Sequence, residues 1–244
     1  MVLTKALEAY IKNFKWIAVL VLPVGIVTGL IFLAISSTHN YDLYFLLSFN
    51  IPGWLLSPLW IGPLLFCLSW LESGQAFRYQ TVIINGLRPW WKLLTVPVII
   101  VGVKYLAVLG TQLAPPGYRS FVWWLLLLIA IVIAIRYIFI FPVFTLEKYG
   151  LIQAWRRCAS LSKGRRLNLF FELIALWLLL YVAVFFMTML LGMAANLGSG
   201  FASTFISLIV IMGIIYPMVY ALIIVWIYYG YKVRAIDQDC DLAG

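Results

Sequence analysis

Charge is what this sequence has least of. Only 10% of its 244 residues are Asp, Glu, Lys or Arg, and eight of those are acidic. Soluble domains average about 25% charged and about 45–50% apolar residues. Here 65% are hydrophobic and the mean hydropathy is +1.06. A water-facing surface needs more polar side chains than that, so a soluble globule is excluded. Histidine is nearly missing, with His39 alone, and Cys67, Cys158 and Cys240 share no CxxC or Cys/His spacing. A zinc site or disulfide framework therefore has no support, and no cofactor is implied. HExxH, GxSxG and P-loop patterns are also lacking, so a hydrolytic nucleophile would find no base at membrane depth. His39 and Asp42 sit close together in an outer segment and read as solvated polar residues.

Long apolar runs are what the chain has in abundance. A bilayer core of about 30 Å needs roughly 20 apolar residues at about 1.5 Å each. Six runs qualify: residues 16–36, 45–70, 91–113, 121–146, 168–192 and 203–231. The first follows Lys5, Lys12 and Lys15, and Ala34-Ile35-Ser36 resembles a cleavage site. Its length exceeds the roughly 7–15 residues of a signal core, so it reads as a retained span. The second is crowded by Pro52-Gly53, Pro58 and Gly62-Pro63; any break in it must face protein or water. The expected fold is an all-α integral membrane protein, one domain over 1–244, with six transmembrane helices.

The formal charge of +9 raises the question of a nucleic-acid partner, but the positions of the cations answer it otherwise. Fourteen of the 17 Lys and Arg precede the first run, follow the sixth, or lie between the second and third or fourth and fifth. The opposite side has Arg119 alone, beside Pro115-Pro116-Gly117, and the turn Gly198-Ser199-Gly200. The positive-inside bias then puts both termini in the cytoplasm, with no nucleic-acid partner, and the cell inner membrane is the expected location. Trp16, Trp70, Trp90-Trp91 and Trp226 with Tyr228-Tyr229 fall near inner boundaries, and Trp123-Trp124 near an outer one, where amphipathic rings anchor at the headgroups.

Two cytoplasmic segments divide into apolar and polar faces at helical spacing. Over 3–15, Leu3, Leu7, Tyr10, Ile11 and Phe14 oppose Lys5, Glu8, Lys12 and Lys15. Over 151–163, Leu151, Ile152, Trp155, Cys158 and Ala159 oppose Gln153, Arg156, Arg157, Ser160 and Lys163. Such helices are expected to lie in the headgroup layer with the apolar side down. A weaker version of the pattern spans 75–88, so the chain can be laid out as three units of interfacial helix followed by two spans, an internal repeat if the units are related.

LESGQAFRYQ, AIRYIFIFPVFTLEKYGLIQAWRRCASLSKGRRLNLFFELIAL and the closing WIYYGYKVR resemble the YciC-type bacterial inner-membrane proteins. They are also similar to the membrane domain found beside some glycerophosphodiester phosphodiesterases. The resemblance runs over residues 72–232. In that superfamily a span ends in a proline, an acidic residue follows, and an Ala-rich helix with a serine and a glycine leads to the next span. The matching positions are Pro142, Glu147, Ala154, Ser160 and Gly164. The resemblance implies topology and no chemistry, and no hydrophilic catalytic domain is expected after Arg234.

Two cations interrupt the apolar runs. Arg136 lies about ten residues from the inner end of the fourth, hence about 15 Å deep on a straight helix, and Lys104 sits at comparable depth in the third. A charge facing lipid there costs about 2.5–3.5 kcal/mol, so both should face the interior, reach water, or snorkel. Glu147 and Glu172 are the available counter-charges, with Glu172 the expected partner of Arg136, and a kink at Pro142 should free a carbonyl beside it. Lys104, Arg136, Glu147 and Glu172 are thus either packing and snorkelling devices, an anion or lipid pocket, or a relay. Arg156, Arg157, Lys163, Arg165 and Arg166 are expected to contact anionic inner-leaflet lipids, or simply to carry the orientation signal. Three functions follow: a non-enzymatic membrane protein of envelope or lipid organisation, with lipids and a membrane or cytoplasmic subunit as partners; a small transporter or permease component binding an anionic lipid or solute; or an intramembrane enzyme. A water-filled cavity reaching Lys104 and Arg136 would favour transport, and an apolar groove the first.

Overall fold

The computed structural model describes residues 2–36, 55–113, 115–147, 149–164, 166–197 and 214–243. These residues form ten α-helices and one 3-10 turn, and no strand occurs among them. In chain order the helices are α1 (Val2–Lys12), α2 (Phe14–Ser36), α3 (Pro58–Glu72), α4 (Tyr79–Leu87), α5 (Trp90–Leu113), α6 (Arg119–Arg136), α7 (Ile140–Leu146), α8 (Leu151–Leu161), α9 (Arg166–Leu197) and α10 (Tyr216–Ala243). Four stretches are long and apolar enough to cross a bilayer: Phe14–Ile31, Trp90–Gly110, Arg119–Leu146 and Tyr216–Ile236. They correspond to the first, third, fourth and sixth expected spans. Residues 45–54 of the second and 203–213 of the sixth lie outside the described residues. The fifth falls within the 32-residue α9.

The C-terminal helix α10 is the post on which the rest is assembled. Ala221, Val225 and Trp226 are buried, and α1, α2, α3, α7 and α8 all pack on it. The two amphipathic helices turn part of their apolar faces to protein. On α1, Ala6 and Ala9 are buried, Tyr10 donates from its hydroxyl to the Met218 carbonyl at 3.1 Å, and Ile11 stays exposed. The helix stops at Asn13, whose side-chain amide donates to the Ala9 carbonyl at 3.0 Å, a local bond that competes with helix continuation. On α8, Ala154, Cys158 and Leu161 are buried against α7 and α10. Ile11, Phe14, Leu151 and Ile152 of the expected apolar faces stay exposed, while the buried residues of both helices pack on α10.

The fourth expected span is not one straight helix. It breaks over residues 137–139, five residues before the kink expected at Pro142. Pro142 sits third in α7, where a missing N–H leaves no intrahelical bond unmade. The carbonyl it would have paired with belongs to Ile138, inside the break. Ile140, Pro142, Val143 and Phe144 are buried, so α7 is a core element.

Between the second and third spans, α4 folds back along α3. The two are held at backbone contact: a Cβ on Gly86 would collide with the Cα and N of Pro63, and one on Gly62 with the carbonyl oxygen of Gly86. Both collisions are with main chain, which cannot swing aside. Gly86→Ala should therefore destabilise the α3–α4 pair by about 1–3 kcal/mol, read as a lower thermal midpoint in detergent, while Gly102→Ala, which meets open space, should leave it unchanged.

Candidate functional site

Helices α2, α3, α5, α6, α7, α9 and α10 enclose a cavity of about 480 Å³, within the size range of small-molecule sites. Its wall is mostly hydrocarbon and aromatic: Val96, Ile100 and Val103 from α5, Ala130 and Ala134 from α6, and Ile223, Ile224 and Ile227 from α10. Tyr137 from the helix break and Trp155 from α8 meet edge to face at 4.6 Å on one side of it. Thr28 and Ser57 add hydroxyls, and that of Thr28 already donates to the Val24 carbonyl at 2.9 Å. No charged side chain lines the wall among the described residues. Among those residues no three of His, Cys, Asp and Glu gather as a metal site.

The acidic and basic side chains lie outside the described wall. Glu147, at the end of α7, accepts from the Tyr231 hydroxyl at 2.7 Å and lies 3.7 Å from the Arg157 Nε. Glu172, on α9, accepts from the Trp226 indole N–H at 3.2 Å. Glu172 was the expected partner of Arg136; no ion pair between the two occurs among the described residues. Glu72, closing α3, accepts from the Tyr228 hydroxyl at 2.7 Å and pairs with Lys232. Burial alone would raise the Glu72 pKa, but hydrogen bonds from Lys232, Tyr228 and Tyr229 and the Lys232 charge outweigh it and hold the carboxyl below its usual range. Trp226, Tyr228 and Tyr231 are buried and serve as internal donors; of these, Trp226 and Tyr228 were expected at a headgroup boundary.

Arg136 is the last residue of α6 and is exposed, its guanidinium 5.5 Å from the Tyr137 ring centroid. Among the described residues no carboxylate pairs with it. Its carbonyl, freed by the helix break, accepts from the buried Ser162 hydroxyl at 2.9 Å. Beside it the Cys158 thiol is buried, and burial pushes its pKa up to about 12, so it is no reactive nucleophile. Lys104 lies on α5, and Arg156, Lys163 and Arg166 are exposed. Arg157 is turned inward to Glu147. Arg165 lies outside the described residues. Arg234 reaches the Leu161 carbonyl at 3.2 Å and stacks 4.9 Å from the Phe139 ring centroid.

A family model, the membrane domain of glycerophosphoryl diester phosphodiesterase, matches residues 118–239, half of the chain. The chain belongs to that family. The match takes in α6 to α9 and most of α10, and so holds Arg136, Glu147, Glu172 and the donors of α10. Glu72 and the α3–α4 pair fall before it, although the resemblance was expected to begin at residue 72. No curated protein and no solved structure matches the chain. Together with the four apolar helices, membership in this membrane-domain family makes the chain an integral membrane protein.

Two outcomes test the polar shell. Tyr231→Phe removes one donor from a half-buried carboxylate and should lower stability by about 1–3 kcal/mol, read as a lower thermal midpoint in detergent. Because the folded-state pKa of Glu72 is depressed, its contribution is present above the unfolded-state pKa and is lost as pH falls through the folded value. Wild-type protein should keep this contribution from pH 7 down to about pH 4.5 and lose it as pH falls further, and Glu72→Gln should show a flatter profile below about pH 4.5.

Proposed function

We propose that this chain is a non-enzymatic membrane module that holds lipid in its central cavity, in the service of envelope or lipid organisation. The single observation that carries the reading is the wall of that cavity, which is mostly hydrocarbon and aromatic and carries no charged side chain among the described residues. An apolar, uncharged cavity open among membrane helices takes hydrocarbon in preference to any hydrated solute, since each buried CH₂ contributes about 0.8 kcal/mol. Transport of an anion or hydrated solute is the weaker alternative, because neither Arg136 nor any other cation stands in the described wall.

The family's printed name joins a membrane domain to an enzyme of glycerophosphoryl diesters, which are the polar portion of glycerophospholipids. A module that presents or receives such lipids beside a partner subunit fits both the name and the cavity. In this reading the chain crosses the bacterial inner membrane six times with both termini in the cytoplasm, as the distribution of lysine and arginine favours.

Native mass spectrometry of the detergent-purified protein is the direct test. Wild type should retain about one lipid per chain. Ala130→Phe, which places a ring in the cavity, should retain it about tenfold more weakly, a difference of about 1.4 kcal/mol. A wild-type protein that carries no lipid, or a variant that carries it equally well, would remove the basis of the reading.

A further inference from the structure

The end of α6, the turn after α8 and the start of α9 carry Arg136, Lys163 and Arg166. Tyr137, Trp155 and Leu173 form part of the cavity wall. Arg136 immediately precedes Tyr137. The Ser162–Arg136 hydrogen bond of 2.9 Å fixes the end of α8, one residue before Lys163, against the main chain at the end of α6. Gly164, at φ +83, turns the chain, and Arg166 then opens α9, two turns before Leu173. Arg136, Lys163 and Arg166 are all exposed, and among the described residues none is paired with a carboxylate.

The surroundings of these cations are hydrocarbon. Val132 and Ile133, one turn before Arg136, are exposed, and so are Leu167 and Phe171 after Arg166. Exposed apolar side chains on membrane helices face acyl chains, so Arg136 and Arg166 border lipid, and Arg136 adjoins the cavity through Tyr137. A cluster of like charges without internal acids is stabilised by an external anion. Guanidinium groups suit phosphate because their parallel N–H bonds match its oxygens. The Tyr137 ring beside the Arg136 guanidinium restricts its orientation.

We infer that Arg136, Lys163 and Arg166 bind the phosphate of an anionic glycerophospholipid, one acyl chain of which enters the cavity between Tyr137, Trp155 and Leu173. The inference rests on the lipid-cavity reading and adds the headgroup class. Each cation near an anionic surface contributes roughly fivefold in partitioning. Partial exposure reduces the combined effect, so the expected selectivity is at least about tenfold.

The full chain would be reconstituted in vesicles of equal phosphatidylglycerol and phosphatidylcholine, extracted in detergent, and its retained lipid identified by native mass spectrometry. Wild type should retain phosphatidylglycerol at least about tenfold over phosphatidylcholine. R136Q/K163Q/R166Q should keep a lipid and lose the preference; retention itself shows that the variant is folded. K5Q/K12Q/K15Q, which removes the same charge from α1, should keep the preference, and excess inorganic phosphate should not displace the lipid. Retained lipid without headgroup preference in wild type would overturn the clamp and leave the cavity reading standing, whereas no retained lipid would overturn both. Equal loss in the α1 variant, or displacement by inorganic phosphate, would also overturn the clamp, the first assigning the effect to net charge and the second to a free anion.

Discussion

A carboxylate drawn into an apolar bundle needs donors, because the penalty for an unpaired charge in low dielectric is several kcal/mol. Glu72, Glu147 and Glu172 are the only acids between residues 43 and 236, and they lie on α3, α7 and α9. All three find donors within the nine residues Trp226–Arg234 of α10: Tyr228 and Lys232, Tyr231, and Trp226 in turn. Three helices are thereby fixed in height and rotation against a fourth by groups that cannot slip by one residue without orphaning a charge. The cavity depends on this arrangement. Ile223, Ile224 and Ile227 line it from the same helix, directly before and within the donor stretch.

The break between α6 and α7 is the second consequence of polar bookkeeping. Ending α6 at Arg136 exposes carbonyls that an unbroken helix would satisfy, and Ser162 meets one of them. The same bond brings the basic α8–α9 connection to the end of α6. Tyr137 rotates into the cavity wall while its neighbour Arg136 remains outside. One backbone irregularity thus sorts adjacent residues into an apolar interior and a cationic rim.

The helices were legible in the sequence wherever periodicity or length decided them. Residues 3–15 and 151–163 showed their apolar stripes, and α1 and α8 form there; the described parts of the apolar runs are helical. What those stripes would face was not legible, since lipid and a neighbouring helix reward the same pattern. The α10 donors were hidden for a similar reason. Trp226, Tyr228 and Tyr229 have the composition of a headgroup belt, and only the three-dimensional placement of Glu72, Glu147 and Glu172 shows them to be internal. The place of the break was not legible either, since it falls five residues before the proline that announced a kink. The Gly62–Gly86 contact joins separate helices and leaves no short motif to read.

Separation of charge from the cavity also weighs on the choice among functions. A path for a hydrated ion needs groups along its length that replace water, and those groups must be unspent. Here Glu72, Glu147 and Glu172 are engaged by α10, the Thr28 hydroxyl by its own helix, and no cation is part of the described cavity wall. A lipid needs the opposite distribution, with hydrocarbon inside and charge at the border where head and tail diverge. The backbone break at residues 137–139 produces that distribution over two consecutive residues, which is why the cavity and its rim are better understood as one site than as two.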